Sequence, residues 1–191
     1  MNKKFILSLV FSLIVCSTAL IAKIENTLEF RGAAFFHANK RFRHIYANAG
    51  TSYQIETALR VDNRWEVWVN LDEFHKHGRV SGEGCRSKSS VNIFNGSFGY
   101  RAIYSYFPGF DFYLGIGPSF ARLNFKNKTC CGNEIVSKVT CGGVAKGGVY
   151  INLSEGLFLD LFVDYLYQPV RLYRHINVGG LKVGAGLGLK F

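Results

Sequence analysis

The side chains with the most reactive chemistry in this 191-residue chain are histidines that lie between stretches of alternating residues. His75 and His77 could bind a metal ion, but their spacing matches no closed zinc pattern, so we predict neither a metal site nor a cofactor. An acyl-transfer enzyme needs a nucleophile beside a base. His175 is a candidate base, yet no serine adjoins it, and Ser119 and Ser137 have no evident partner. The residues therefore predict no catalytic site, and binding is favoured over catalysis.

Lysines and arginines are concentrated in the same intervening segments, where they outnumber the acids Glu83 and Glu134 by thirteen to two. The whole chain has a formal net charge of +10. A one-sided basic surface attracts partners that carry phosphate or sulfate, and we predict no nucleic-acid partner. The alternative is a solvated rim without a specific ligand, because charge patterns specify partners poorly. The candidate anion-binding residues are Lys40, Arg41, Arg43, Lys76, Arg79, Arg86, Lys88, Arg171 and Arg174.

Four cysteines follow the first 22 residues, and they are disulfide candidates if the chain enters an oxidising compartment. Two of them are neighbours in the sequence, which disfavours a bond between them and leaves two of the three possible connectivities. We therefore expect a bridge from Cys85 to one of this pair, with cross-links between chains as the alternative. The candidates are Cys85, Cys130, Cys131 and Cys141.

The first 22 residues have the layout of a cleavable signal peptide. A basic start at Lys3 and Lys4 precedes the apolar run Phe5–Val15, and small residues follow. Cleavage is expected after Ala19 or Ala22. An uncleaved anchor fits less well, because the run is shorter than the ~20 residues of a spanning helix. The remaining residues, 23–191, are predicted to form one domain.

Beyond this segment, apolar and polar residues alternate with a period of two, which is typical of β-strands with two different faces. In the last segment, Leu181 and Val183 alternate with Gly180, Lys182 and Gly184. Eight such segments are predicted to be strands. They are Thr27–Phe36, Ile45–Leu59, Trp65–Asp72, Phe94–Tyr104, Phe112–Phe120, Val139–Ile151, Leu157–Gln168 and Asn177–Phe191.

The polar faces of these strands carry charges in mid-strand. A soluble sandwich would have to bury those charges, at a cost of several kcal/mol for each unpaired group. A barrel with lipid outside encloses them and also leaves no unpaired sheet edge. Eight strands leave a lumen that side chains can fill, so the charges are predicted to form a polar plug rather than a channel. The predicted interior residues are Glu29, Arg31, Glu56, Glu66, Asp72, Arg101, Lys146, Asp160, Asp164 and Lys182.

The connections support the same fold. Long polar segments, such as His75–Ser90, follow the first, third, fifth and seventh strands, whereas short turns follow the second, fourth and sixth. Membrane barrels place short turns on one side and long loops on the other, and aromatic residues at both boundaries. The sequence therefore predicts an all-β, eight-stranded, antiparallel, up-and-down transmembrane β-barrel with four long outer loops.

With its signal peptide, its eight alternating strands and the closing stretch Leu187–Phe191, the chain resembles the small outer-membrane barrels of Gram-negative bacteria. These are the OmpA transmembrane domain, OmpX/Ail and OmpW. The resemblance implies a multi-pass, porin-like protein of the bacterial outer membrane, in contact with outer-membrane lipid and lipopolysaccharide. It also implies that the terminal Phe191 is read by the barrel-assembly machinery.

Several roles are compatible with the resemblance. The first is non-enzymatic: the basic loops would contact lipopolysaccharide or host glycans in adhesion, or would support the integrity of the cell envelope. The second is an OmpW-like passage for small hydrophobic molecules. The third is a lipid A-modifying enzyme, since Arg174–Asn177 resembles the histidine-serine-asparagine stretch of the deacylase family but lacks its serine.

Overall fold

The computed structural model describes residues 25–39, 43, 49–62, 64–82, 85–129, 132–171 and 175–191. At 79–82, 85–88, 127–129, 132–134, 171 and 175 it describes the backbone alone. Among the described residues, no helix is long and apolar enough to cross a membrane. The predicted signal peptide, residues 1–22, lies outside the described residues, so its cleavage stays a prediction.

The described chain consists almost entirely of β-strands, ten in number within the described ranges. They are β1 (Asn26–His37), β2 (Ala49–Asp62), β3 (Trp65–Gly82), β4 (Cys85–Phe107), β5 (Phe110–Thr129), β6 (Gly132–Asn152), β7 (Leu157–Tyr167), β8 (Pro169–Arg171), β9 (His175–Asn177) and β10 (Gly180–Lys190).

Eight of the described strands close into a barrel in the order β1-β10-β7-β6-β5-β4-β3-β2, and each pair is antiparallel. The first and last strands seal the wall, because they pair continuously from Thr27↔Lys190 to His37↔Gly180. The short strands β8 and β9 form a separate hairpin. The predicted eight-stranded antiparallel barrel is thereby confirmed.

The two ends of the barrel differ in their connections. Short turns join β2 to β3, β4 to β5 and β6 to β7 at one end, which we call the turn end. Both ends of the barrel domain meet there, since Phe191 and Asn26 exchange two backbone hydrogen bonds of 2.9 Å. The opposite end, where β1, β3, β5 and β7 finish, we call the loop end.

Side chains alternate between the inside and the outside of the wall, as the period of two predicts. On β7, Asp160, Phe162 and Asp164 are buried, whereas Leu161 and Val163 are 44% and 48% exposed. Large apolar and aromatic side chains are exposed around the outside of the barrel. The outer wall is therefore apolar, and the interior contains the charges.

Two predicted loops are in fact β-hairpins that lengthen the wall at the loop end. The predicted loop His75–Ser90 belongs to β3 and β4 except for residues 83–84. The segment between Phe120 and Val139 belongs likewise to β5 and β6 except for residues 130–131. These strands were not predicted because their outward positions are polar, whereas the predicted strands were identified by an apolar outer face.

These two hairpins form one continuous sheet beyond the barrel, which we call the extended sheet (residues 73–94 and 122–139). Main-chain pairing between β4 and β5 joins the hairpins and continues to Lys88↔Lys128. The neighbouring strand β7 does not continue alongside the extended sheet, because it ends at Tyr167, which pairs with Gly143 of β6. Residues of the predicted second and third loops therefore occupy defined positions on a sheet.

Candidate functional site

All ten predicted interior residues are buried inside the barrel, and none is more than 4% exposed. They project from β1, β2, β3, β4, β6, β7 and β10, so charges from nearly every side of the wall meet in the lumen. The residues are Glu29, Arg31, Glu56, Glu66, Asp72, Arg101, Lys146, Asp160, Asp164 and Lys182.

Arg31 lies at the centre of an ion-pair network that connects distant strands. Its guanidinium nitrogens lie 2.5 Å from Asp160 Oδ2, 3.0 Å from Glu56 Oε2 and 3.5 Å from Asp164 Oδ2. Arg31 Nε also lies 3.2 Å from Glu29 Oε1 on the same strand. The planar guanidinium can donate five hydrogen bonds, which allows one cation to hold several carboxylates.

Glu56 is the carboxylate that joins the cations of the network. It accepts hydrogen bonds from Arg31 Nη1 at 3.0 Å, from Arg101 Nη1 at 2.5 Å and from Lys146 Nζ. Arg101 Nε in turn donates to Glu66 Oε2 at 2.6 Å. Because buried charges are tolerated only when they are paired, these contacts explain how the interior can hold so many of them.

Aromatic rings lie against the buried cations. The Arg31 guanidinium carbon is 3.7 Å from the centroid of the Phe162 ring, and Lys146 Nζ is 4.6 Å from that of Trp68. The faces of such rings attract cations, most strongly where water is excluded. Aromatic residues thus contribute to the plug, although the sequence predicted only its charges.

Glycines on the inner face of β10 leave room for this filling. A Cβ on Gly188 would lie 2.1 Å from Phe158 Cζ, and one on Gly186 would lie 2.2 Å from Glu29 Oε1. Gly188 also pairs directly with Phe158 in the sheet. The sequence therefore contained a signal for these interior rings. β7 carries large residues at its inward positions, and β10 carries glycines at the inward positions opposite them.

An apolar layer closes the loop end of the interior beneath the hairpin β8–β9. Val170 and Val178 are 4% and 1% exposed, and they belong to the same buried cluster as Phe35 and Phe74. Asn177 Oδ1 accepts two backbone hydrogen bonds, of 2.8 and 3.0 Å, at the base of the hairpin. The predicted last loop, residues 169–176, is therefore a cap in its described part.

A second layer closes the turn end. Tyr150 lies between Tyr113 and Phe158, with ring centroids 4.6 and 4.9 Å apart. Between the two layers, a cavity of about 10 Å³ beside Asp72 and Lys182 has room for about one water molecule. The described side chains thus form a packed plug of charges between two largely apolar layers.

A row of basic residues occupies aligned backbone positions in the extended sheet. The register aligns Arg79 of β3 with Lys88 of β4, and Lys88 with Lys128 of β5. Adjacent strands lie about 4.8 Å apart, so the three positions fall within about 10 Å. Arg122 and Lys126 are exposed on the outer face of β5, nearer the barrel.

The other predicted anion-binding residues do not lie in this row. Lys76 is on the opposite face of β3, where its Nζ donates to a backbone carbonyl of β2 at 2.8 Å. Arg86 lies in β4, two positions before Lys88, and Arg171 lies in β8. Arg43 donates its backbone N–H to the carbonyl of residue 39. Lys40, Arg41 and Arg174 lie outside the described residues.

The disulfide candidates are only partly described. The Cys141 thiol is free and exposed on the outer face of β6. Cys85 begins β4, where the backbone alone is described, and Cys130 and Cys131 lie outside the described residues. No disulfide occurs among the described side chains, and the predicted pairing of the others stays a prediction.

The candidate serines lie apart from the histidines His75 and His77, whereas the side chain of the candidate base His175 lies outside the described part of the structure. Ser119 is fully buried inside the wall, and Ser137 Oγ donates to Asn124 Oδ1 at 2.9 Å on the outer face. His75 and His77 lie together on the outer face of β3, with 3.2 Å between their Nε2 atoms. None of these contacts pairs a serine with a histidine.

Solved structures with similar folds come from bacterial outer membranes. The outer-membrane protein OprG of Pseudomonas aeruginosa matches with a TM-score of 0.66 and 12% identity over 88% of this chain and 96% of that one. Ail of Yersinia pestis, solved with the heparin analogue sucrose octasulfate, matches with a TM-score of 0.57 and 13% identity over 87% and 99%. Neisserial surface protein A has a TM-score of 0.52 and 15% identity over 88% and 96%.

No protein-family model and no curated protein sequence matches the chain. At these identities the structural matches establish the fold. The chain has the fold of the small eight-stranded outer-membrane barrels, which confirms the resemblance predicted from its alternating strands.

Proposed function

We propose that the protein is a non-enzymatic barrel of the Gram-negative outer membrane that binds anionic partners at its loop end. The apolar outer wall supports this location, because exposed apolar side chains on all sides of a barrel are favourable in lipid and costly in water. Leu114 and Ile116, for example, are 67% and 72% exposed on the outside. Phe191 is exposed at the turn end, accessible to a barrel-assembly machinery.

The basic row Arg79–Lys88–Lys128 is the observation on which the binding role depends. The aligned positions concentrate formal positive charge in one part of the sheet, next to the exposed side chains of Arg122 and Lys126, and this charge would attract an anion. The row belongs to a regular sheet, so its positions are fixed by main-chain pairing. Such an arrangement is more specific than a basic loop.

The position of these charges favours lipopolysaccharide among the anionic partners. Phe94 and Val139 are 49% and 77% exposed in the row of the outer face that contains Arg122. From this apolar row the basic residues continue for about 20 Å along the strand, at about 3.4 Å per residue. In a membrane, they would extend from the lipid boundary into the headgroup and sugar region, where phosphates lie. Host glycans are the alternative source of anionic groups.

Neutralising the basic row tests the proposal. The variant R79Q/K88Q/K128Q, refolded in detergent, would be titrated with lipopolysaccharide vesicles and, separately, with heparin. A basic residue near an anionic surface contributes about 1 kcal/mol, so the three together predict a loss of affinity on the order of 100-fold at low salt. The two ligands distinguish membrane lipid from soluble sulfated glycans.

The matched control removes the same charge from the turn end. In R60Q/R64Q/K190Q, the affinity for either ligand should change little, because these residues lie on the far side of the barrel. Equal losses in the two variants would show that binding follows net charge alone. An unchanged affinity in the first variant would contradict the proposed site.

A lipid A-modifying activity is the enzymatic alternative. The separation of Ser119, inside the wall, from the exposed outer-face histidines supports a binding role instead. Mass spectra of lipid A from cells with and without the protein should be identical under our proposal. A difference of one acyl chain would favour the enzyme.

Passage of small hydrophobic molecules through the wall is a second candidate function. The β4–β5 ladder lacks pairs at Phe98, opposite Pro118, and at Gly99, opposite Gly117. Proline has no N–H to donate to a sheet. An apolar groove of about 490 Å³ lies outside this interruption and is partly lined by Tyr167. Under this alternative, P118V should reduce uptake of a hydrophobic probe into vesicles.

A further inference from the structure

Two histidines converge on the outer face of the extended sheet. His75 and His77 are two residues apart on β3, so they project from the same side of the strand, and both are exposed. Their Nε2 atoms are 3.2 Å apart, and their ring planes meet at 83° with centroids 4.7 Å apart. Each ring therefore directs the same nitrogen towards a common point.

We propose that His75 and His77 form a site for one divalent transition-metal ion of the Zn²⁺, Cu²⁺ or Ni²⁺ type. Metal–imidazole bonds are about 2.0–2.1 Å long. Two such bonds that end on atoms 3.2 Å apart enclose an angle of about 100–105° at the metal. This angle lies between those of square-planar and tetrahedral coordination, and imidazole is a preferred ligand of all three ions.

The fold does not require the two rings to meet. Both are exposed, so water could satisfy their nitrogens separately, and without a metal the close contact needs one ring to donate and the other to accept. A metal ion removes this constraint, since each neutral ring then donates its lone pair to the same acceptor.

The site leaves coordination positions free. Glu73 projects from the same face two residues earlier, but its Oε1 accepts a hydrogen bond from Asn92 Nδ2 at 2.8 Å. Among the described side chains, no third histidine, cysteine or acid completes a metal-binding group. The described residues therefore supply two ligands, and water or other donors would complete the coordination. Spacing alone predicted no metal because the pattern matches no closed zinc site.

Titration with zinc chloride and copper chloride tests the site in the full-length barrel refolded in detergent. Calorimetry should find one ion per chain, and the Cu²⁺ electron paramagnetic resonance spectrum should show two coordinated nitrogens. Because each histidine supplies a ligand, H75N or H77N should weaken binding by at least about tenfold and leave one coordinated nitrogen. The double variant should abolish the signal.

The variant H44N/H175N is the matched control, since it removes two other histidines and should leave stoichiometry and spectrum unchanged. Heat-dependent gel mobility would verify that every variant is folded. Binding that survives in H75N/H77N, or that is lost equally in the control, would overturn the proposal. A folded protein that binds neither ion would overturn it as well, and would leave the two rings as a hydrogen-bonded pair.

Discussion

At the scale of single residues, the buried charges depend on one another. Glu56 contacts Arg31, Arg101 and Lys146, whereas Glu25 pairs with Arg60 at the edge of the turn end and is partly exposed. Loss of a buried partner leaves a charge without compensation, but a surface pair contributes little. The same chemical change should therefore have very different effects at these two glutamates.

Replacing Glu56 with glutamine should lower the free energy of unfolding by about 3–5 kcal/mol, because Arg31, Arg101 and Lys146 lose the buried carboxylate that they share. E25Q makes the same change at a partly exposed pair and should cost about 0–1 kcal/mol. Urea titration of the refolded barrel, followed by gel mobility, measures both. Similar effects for the two variants would show that the network adds nothing to stability.

At the scale of elements, the hairpin β8–β9 separates the charged interior from the loop end. Val170 of the hairpin and Val178, which directly follows it, pack into the same apolar layer as Phe35, which belongs to the opposite end of the chain. Thr140 Oγ1 also donates to the carbonyl of Pro169, which ties the hairpin to β6. The cap is thus part of the packed interior rather than a free loop.

Truncating the cap should destabilise the barrel. V178A removes two methyl groups from a fully buried site, so we expect the free energy of unfolding to fall by about 1–3 kcal/mol. V139A removes the same atoms from a side chain that is 77% exposed, and it should have a much smaller effect. The urea midpoints of the two variants provide the comparison. A cap that does not pack against the interior would give equal midpoints.

At the scale of the whole molecule, the closed wall and the plug separate the protein from the wide porins. Eight strands enclose a lumen that side chains can fill, and the described side chains fill it in three layers. The outside is apolar around the whole circumference. A membrane can therefore be spanned without a water-filled channel.

Recordings of the purified protein in planar bilayers should show no stable conductance. The reason is that an ion would have to displace the paired charges around Arg31 and pass both apolar layers. A 16-stranded porin reconstituted in the same way provides the positive control. A reproducible open state would contradict the plugged interior.

Much of the wall could be predicted from the sequence because the period of two is local. Each strand carries its own contrast between faces, so Asp160 and Leu161 could be assigned to opposite sides without knowledge of any neighbour. The extended sheet could not be predicted in this way. Its strands at His75 or Asn124 are polar on the outside, and only pairing between chain segments makes them strands.

The sequence by itself determined the strand faces, the enclosed charges and the closing role of the C-terminal strand, because alternation is encoded within each segment. Only the tertiary structure decided that Arg31 meets Asp160, that Arg79 aligns with Lys88, and that Val178 caps the lumen. Those partners lie far apart in the chain or depend on strand register. Register follows from the closure of the whole barrel, and no single segment contains it.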